Sequence, residues 1–489
     1  MSASFEDCLG MLYSAVAQCR KGQTESAKRS LALALIVAAE LPEQSRLYFQ
    51  AAFCYAALLI ESRHAPASVT PEMRSEAGAL LDQCHESEAS EMFASVLFEV
   101  LTELGEYKRA LRFGNHALSL AIDHKKSISV ADWLWKLGGC YSHLGLRDHA
   151  MIAYRGSARI FRNEPADPRL PVVLLALGNS VRKTAPSEAE SLYKEAASLW
   201  ESKGQLQSAT PAWTNLAILC SDQQRFEEAL NYYERVRQVR ESSPGTPVVQ
   251  IGRLYNNLAS CYRKMGRFED AHRSIERALE ILEVLGAKTM DETSALGFAV
   301  GTKGMILRDE GKHLESLDWF RRACAEFEKQ PNPNVENVIE ELEHAAAALR
   351  HLERIGEVQA VETKIQSLRR AAAEVKAVGY DSNAPTDLTE DTLLIEVPFG
   401  NRRSAIEPEL VPLGISIDEI LKEKSLGAWS GLVRIPECAT LICYGCDAHA
   451  MYLAIEPLMR SDSRFEGARF SIRHGNQQHE VMFSPSRVN

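Results

Sequence analysis

The sequence predicts a mainly α-helical superhelix of paired helices, followed by a small domain that contains both α-helices and β-strands. Apolar residues recur at steps of three and four along most of the chain, which places them on one face of successive helices. Similar two-helix segments return at an offset of 42 residues in the middle of the chain. After Ala373 this spacing gives way to short strand-like runs, which indicates a second domain.

The composition is that of a folded, acidic protein. The chain has 489 residues, of which 45% are hydrophobic, and its formal net charge is −11. The apolar fraction excludes a disordered chain, and the acidic balance argues against general nucleic-acid binding, because a phosphate backbone requires a basic surface. The 11 cysteines lie mostly within apolar helical patterns, which indicates a reducing compartment. Because Glu6 and Asp7 stand where a signal peptide needs basic residues, we expect a cytoplasmic protein.

The repeated unit is clearest in residues 213–236 and 255–278. Each segment contains two apolar stripes at helical spacing, and Gly266 separates the stripes of the second segment. In that segment the first stripe contains Tyr255, Leu258, Ala259 and Tyr262, and the second contains Phe268, Ala271, Ile275 and Ala278. The small residues allow the two helices to approach closely, and the large residues fill the remaining space.

This pattern resembles the tetratricopeptide repeat (TPR), and its longer unit resembles the repeats of kinesin light chains. The kinesin-light-chain pattern N-N-L-A-x-x-Y-x-x-x-G-x-[FY]-x-x-A is matched by Asn256, Asn257, Leu258, Ala259, Tyr262, Gly266, Phe268 and Ala271. The resemblance covers residues 5–372 and implies an array of about nine helical pairs, an α-solenoid that binds protein partners.

Other copies of the frame lie before and after this segment. Six of them are each marked by two residues of the frame, which in chain order are Ala15 and Gly22, Gly105 and Ala110, Gly138 and Tyr154, Ala189 and Tyr193, Gly304 and Phe320, and Leu352 and Val358. A degenerate pair of helices at residues 45–62 and 72–87 lies between the first two of these copies.

The second domain is predicted to occupy residues 392–485, after a polar linker at residues 374–391. Strands are predicted at residues 392–397, 431–435, 439–445, 468–475 and 479–483, and helices at residues 415–424 and 448–461. The order β-α-β-β-α-β, with one additional short strand, predicts a small α+β domain of the ferredoxin-like arrangement.

Four residues of this domain have a spacing that a metal site can use. Cys438, Cys443, Cys446 and His449 form C-x4-C-x2-C-x2-H, and zinc prefers four such ligands. A second C-x-x-C is missing, however, and Cys443 lies within an apolar strand, so the packing interpretation is favoured over a metal site.

An enzyme is the second alternative for this domain. His474 and His479 flank a loop in which Gly475 and Asn476 favour a hairpin turn over an active site. The chain contains no P-loop, no dinucleotide-binding glycine motif, no H-E-x-x-H and no G-x-S-x-G. We therefore expect no catalytic residue, no metal and no cofactor.

The candidate binding residues lie in the predicted concave groove, which first helices line. Asn215 and Asn257 occupy the same repeat position, Asn256 is adjacent, and an amide can both donate to and accept from a peptide backbone. The alternative is that these amides join neighbouring helices. Basic residues near the same face either pair with a carboxylate of the partner or belong to a solvated surface: Arg253, Arg263, Lys264 and Arg308. Lys136 and Thr302 stand at the corresponding positions of other repeats, which interrupts the asparagine series.

These observations predict a scaffold or adaptor that binds a peptide or helical segment of a protein partner, without nucleic acid or membrane. One alternative is a peptide-sensing regulator, which would resemble the bacterial peptide-pheromone receptors built on TPR arrays. Such receptors usually carry an N-terminal DNA-binding or effector domain, whereas here the repeats begin at the first residues. The other alternative is the enzymatic or metal-binding function of the C-terminal domain.

Overall fold

The computed structural model describes most of the chain. The described residues are 4–39, 41–64, 69–84, 90–243, 245–286, 290–329, 335–377, 391–399, 410–424, 426–434, 438–445, 447–474 and 477–482. Before residue 378 they form helices α1 to α18, which in chain order are Phe5–Arg20, Thr24–Ala38, Glu43–His64, Pro71–Leu81, Glu91–Glu103, Tyr107–Asp123, Ser127–His143, Arg147–Phe161, Leu170–Val181, Pro186–Ser202, Leu206–Asp222, Phe226–Ser242, Val248–Lys264, Phe268–Leu285, Met290–Asp309, His313–Glu328, Val335–His351 and Ile355–Ala377.

The helices pack in sequence as antiparallel pairs, so that each odd-numbered helix is the first of a pair. First helices also contact each other directly, as α13 contacts α15 and α15 contacts α17. The prediction of a mainly helical solenoid is confirmed. None of the helices in the described residues is long and apolar enough to span a bilayer.

The turn between the two helices of a pair fixes the repeat register. Gly266 turns the chain between α13 and α14 with φ +73°, a left-handed conformation that glycine adopts without steric cost. Seven residues before this turn, Ala259 lies buried where α13 meets α14. At the equivalent position of another pair, Gly138 faces Tyr154, and a Cβ there would lie 2.6 Å from that ring. We call this place in each pair the small position, and its occupants in the later pairs are Gly138, Gly178, Ala217, Ala259, Gly304 and Ala346.

In the described residues, the C-terminal domain is a five-stranded sheet with two α-helices. Its elements in chain order are β1 Asp391–Pro398, α19 Leu410–Glu423, β2 Gly427–Arg434, β3 Cys438–Gly445, α20 Ala448–Ser461, β4 Arg469–His474 and β5 Gln477–Met482. The sheet order is β2-β3-β1-β4-β5, and every neighbouring pair is antiparallel. The prediction of a small C-terminal α+β domain is confirmed.

Two predicted boundaries differ from the structure. Helix α18 continues to Ala377, beyond residue 374, because its final residues are good helix formers. Helix α19 begins at Leu410 instead of residue 415, because the buried apolar spacing of Leu410, Leu413 and Ile417 starts there. The predicted linker otherwise lies mainly at residues 378–390, outside the described residues.

Both faces of the sheet are buried. Leu393 of β1 and Cys443 of β3 are paired across the strands and face the core formed with α19 and α20. Their strand neighbours Leu394 and Ile442 point the opposite way and join the hydrophobic core of the helical array. On that side β2 and β3 contact helix α8. The C-terminal domain is therefore docked on the second helix of the fourth pair.

Candidate binding groove on the first helices

A pocket opens between the first helices α13, α15 and α17. It has a volume of about 440 Å³, and these side chains line it: Arg253, Asn256 and Asn257 from α13, Phe298, Thr302 and Met305 from α15, and Glu340, Glu341 and His344 from α17. Since all three helices are first helices, the pocket belongs to the face of the array on which a concave groove is expected.

The repeat register explains why these side chains converge. Asn257, Thr302 and His344 each lie two residues before the small position of their pair, and Arg253, Phe298 and Glu340 each lie one turn earlier. Side chains four residues apart share one helix face, so each helix presents two of these residues to the same groove.

Glu341 is the residue that departs from the repeat pattern. It lies five residues before the small position, where the preceding pairs have buried apolar residues, namely Trp133, Val173, Ala212, Leu254 and Ala299. The Glu341 side chain lines the pocket although the residue is only 5% exposed. Its Oε2 atom is buried and has no hydrogen-bond partner among the residues that the structure describes.

Gly301 of α15 provides the space for this carboxyl group. A Cβ atom on Gly301 would lie 2.2 Å from Glu341 Oε1, so the carboxyl group rests directly on the glycine backbone. Burial in this position raises the pKa of Glu341 to about 8, and repulsion from Glu340 adds to this, while Arg308 opposes it. The carboxyl group is therefore mostly protonated at neutral pH.

The imidazole of His344 is held neutral beside it. Burial, together with the positive charge of the neighbouring Arg308, lowers the pKa of His344 to about 4. Arg308 Nη1 lies 3.1 Å from His344 Nδ1. Because a guanidinium only donates, Nδ1 accepts, and the ring proton is placed on Nε2.

The structure brings three of the predicted site residues into this pocket: Arg253, Asn256 and Asn257. Asn256 Oδ1 is buried there without a hydrogen-bond partner. Asn215 lies outside the pocket, where its Nδ2 donates to Asn179 Oδ1 at 2.7 Å. At Asn215 the amide therefore joins neighbouring first helices, which was the alternative role for these asparagines.

The other predicted basic residues are engaged in ion pairs within the array. Arg263 pairs with Asp309, and Arg308 also binds Asp309 at 2.9 Å. Lys264 Nζ lies 2.6 Å from Asp222 Oδ1. A role in binding a partner's carboxylate stays a prediction for these side chains.

A second pocket of about 340 Å³ lies further toward the N-terminus on the same series of helices. Phe98 and Glu103 of α5 line it together with Trp135 and Lys136 of α7. Lys136 Nζ is within 3.6 Å of Glu99 and 3.2 Å of Asp132, so its charge is balanced locally. This concavity is separate from the one between α13, α15 and α17.

Comparison with known proteins identifies the repeat. A model of the tetratricopeptide repeat matches residues 208–283, the segment that contains Asn215 and Asn257. The chain contains tetratricopeptide repeats in this segment. It is similar to kinesin light chain-related protein 3 of Arabidopsis thaliana, with 22% identity over 205 residues, which are 40% of this chain and 31% of the relative.

The TPR array is also similar to solved structures. BtubC of P. vanneervenii is 18% identical, with a TM-score of 0.38 over 51% of this chain and 94% of that one. The quorum sensor NprR of B. thuringiensis is 11% identical, with a TM-score of 0.48 over 74% of this chain and 99% of that one. The chain spans only 31% to 57% of the length of the curated relatives it matches.

Glu340, Glu341 and His344 were not among the residues predicted from the TPR pattern. The sequence does distinguish Glu341: when α17 is aligned with the preceding first helices, an acidic residue stands where they have an apolar one. This alignment is difficult to find from the sequence, because α17 matches the repeat consensus weakly. His344 stands at the repeat position of Asn215 and Asn257 and was missed for the same reason.

The candidate metal ligands of the C-terminal domain do not converge. Cys438 and Cys443 lie on opposite faces of β3, one toward the TPR array and the other toward α19 and α20. His449 is exposed at the start of α20. Cys446 lies outside the described residues, within which no group of three potential ligands is found.

The two histidines of the proposed enzymatic alternative lie in a hairpin. His474 ends β4 and is paired with Gln477, and His479 in β5 is paired with Ile472. The predicted turn residues 475–476 are outside the described residues, and the strands on either side of them pair antiparallel.

Proposed function

We propose that the protein is an interaction scaffold that binds a peptide or helical segment of a protein partner in the concave groove of its TPR array. The observation that carries the proposal is the pocket between α13, α15 and α17, where Asn256 and Asn257 lie side by side. A buried amide oxygen without a partner favours a ligand with hydrogen-bond donors, and a peptide backbone supplies donors at regular intervals. The mechanism is reversible binding without covalent chemistry.

The test uses peptides selected against the intact protein. A random peptide library displayed on phage is enriched on the full chain, and selected peptides are synthesised and measured by calorimetry. We expect Asn257→Ala to weaken binding by about tenfold, the effect of one or two lost hydrogen bonds. The melting temperature of this variant stays near that of the wild type, because Asn257 is a pocket residue.

Asn215→Ala is the matched control, since it removes the same side chain from the same repeat position outside the pocket. It is expected to lower stability slightly, because Asn179 Oδ1 loses one of its two donors and keeps the Tyr193 hydroxyl, and to leave peptide affinity unchanged. Equal affinities of wild type and Asn257→Ala for every selected peptide would contradict binding in this groove.

The peptide-sensing alternative has one observation in its favour. The C-terminal domain docks on α8, so it contacts the array that the peptide would bind, and a change in the array could reach it. For this domain we propose the ferredoxin-like arrangement, supported by the order β2-β3-β1-β4 with α19 and α20 on one face. Hydrogen exchange in β2 and β3 with and without a selected peptide tests the regulatory role, and identical exchange would contradict it.

A further inference from the structure

We propose that the pocket around Glu341 receives a primary ammonium group carried by the bound peptide. This inference rests on the proposed peptide-binding function and defines the chemistry of one subsite within it. It specifies the charge of the ligand group, the arrangement of its hydrogen-bond donors and the dependence of its affinity on Glu341, and each of these can be measured separately.

The first argument is that two departures from the repeat pattern are in direct contact. Glu341 replaces an apolar residue that the preceding pairs bury, and the carboxyl group fits only because residue 301 is glycine. An apolar side chain at this position would stabilise the array, since a buried carboxyl group without a partner costs free energy. A costly residue together with the glycine that accommodates it is typical of a binding site.

The second argument comes from the atoms left without partners. Glu341 Oε2 and Asn256 Oδ1 both belong to residues that line the pocket, and both atoms are buried without a hydrogen-bond partner among the described residues. An amide oxygen only accepts, and so does the Glu341 carboxyl group once it has lost its proton, so a ligand that pairs with both must bring donors. Asp309 already neutralises the nearby Arg308, and Glu340 adds a negative charge at the mouth of the pocket.

The third argument distinguishes an ammonium from a guanidinium. The two acceptors belong to different helices, α13 and α17. An ammonium directs three donors tetrahedrally and suits acceptors that come from separate elements, whereas the planar guanidinium suits two parallel acceptors of one carboxylate.

Binding is coupled to loss of the Glu341 proton. In the empty pocket the carboxyl group is protonated at neutral pH, so an arriving ammonium displaces this proton to solvent and pairs with the carboxylate. Affinity therefore rises with pH up to about 8. The other charged and titratable groups that face Glu341 are Glu340 and His344 on α17, Arg308 on α15 and Arg253 on α13.

The experiment measures small probes by saturation-transfer NMR on the full chain. Nα-acetyl-lysine methylamide carries a side-chain ammonium, and leucine methylamide carries an α-ammonium. Nα-acetyl-norleucine methylamide is the uncharged control, and Nα-acetyl-arginine methylamide carries a guanidinium. We expect one of the ammonium probes to bind at least about tenfold more tightly than the norleucine probe.

The pH dependence identifies the source of the ammonium. Affinity for the lysine probe should rise to about pH 8 and then stay constant, because its side chain keeps its proton to about pH 10. Affinity for the leucine probe should pass through a maximum and fall above about pH 8, where an α-amino group loses its proton.

Glu341→Gln should remove the preference for the ammonium probe, whereas Glu343→Gln, an exposed change on the same helix, should keep it. Circular dichroism verifies that both variants are folded. The inference is overturned if the norleucine or arginine probe binds as tightly as both ammonium probes, or if Glu341→Gln leaves the preference for an ammonium probe intact.

The selected peptides distinguish this inference from the proposed groove function. If they bind wild type and Glu341→Gln equally but lose affinity for Asn257→Ala, the ammonium subsite is wrong and the groove function stands.

Discussion

Replacement of Glu341 by Gln should stabilise the end of the TPR array, and more so as the pH rises. Burial raises the pKa of Glu341 from its usual 4.5 to about 8. A carboxyl group whose pKa is higher in the folded state destabilises that state wherever the unfolded chain would be ionised, so the penalty is absent below pH 4.5 and complete above pH 8. Each pH unit between these values costs about 1.4 kcal/mol, which amounts to about 3 kcal/mol at pH 7.

Hydrogen exchange followed by mass spectrometry measures this local effect. Peptides from α15 and α17 are compared between wild type and Glu341→Gln at each pH, so that the intrinsic exchange rate cancels. We expect the variant to be protected a few hundredfold more at pH 7, and about tenfold more near pH 5.5. The comparison also removes the contribution of His344, whose lowered pKa makes stability rise with pH between about 4 and 6.5.

Glu340→Gln is the control for this prediction, because Glu340 is exposed and acts on Glu341 only through repulsion. Its effect should have the same sign and be much smaller. A protection ratio for Glu341→Gln that is the same at every pH would refute the burial of an ionisable carboxyl group. If Glu341→Gln is less protected from exchange than the wild type, the Glu341 carboxylate has a hydrogen-bond or ion-pair partner in solution.

Three further predictions follow from other contacts. Gly301→Ala should lower the melting temperature by the equivalent of about 1–3 kcal/mol through overpacking, and a second change, Glu341→Ala, should rescue it in a double-mutant cycle. Asn215→Ala should cost about 0.5 to 1 kcal/mol in urea unfolding, because Asn179 Oδ1 loses the Asn215 donor and keeps that of Tyr193; no loss would show that water replaces the amide. Met151→Glu on α8 should speed hydrogen exchange in α8, β2 and β3 while helical circular dichroism is unchanged, and unaltered exchange would place Met151 outside the docking contact.

The helical pairs were predictable because their signals are local. Spacings of three and four place apolar residues on one helix face, and Gly266 supplies the left-handed turn that Gly145 and Gly311 supply in other pairs. The predicted start of α19 is later than the start in the structure, because Pro412 interrupts the helical spacing of apolar residues in the sequence. Proline is nevertheless tolerated in the first turn of a helix.

Only some of the residues that line the pocket could be predicted from the sequence. Asn256 and Asn257 were identified because they lie in the pair that best matches the repeat, whereas Glu341 and His344 lie in a pair that matches it poorly. Sequence alone also could not distinguish an amide that faces a pocket from one that joins two helices. That distinction depends on which residue the neighbouring pair presents, as Asn179 shows for Asn215.

The contact between the C-terminal sheet and α8 changes how this chain can fold. In an open solenoid each pair contacts only its neighbours, so the array can form progressively as the chain is synthesised. The docking of β2 and β3 closes a long loop, and such a closure must wait until both strands have been synthesised. The side of α8 that these strands contact stays open to solvent until then. The packing of the fourth pair is therefore completed late, although its helices lie in the first half of the chain.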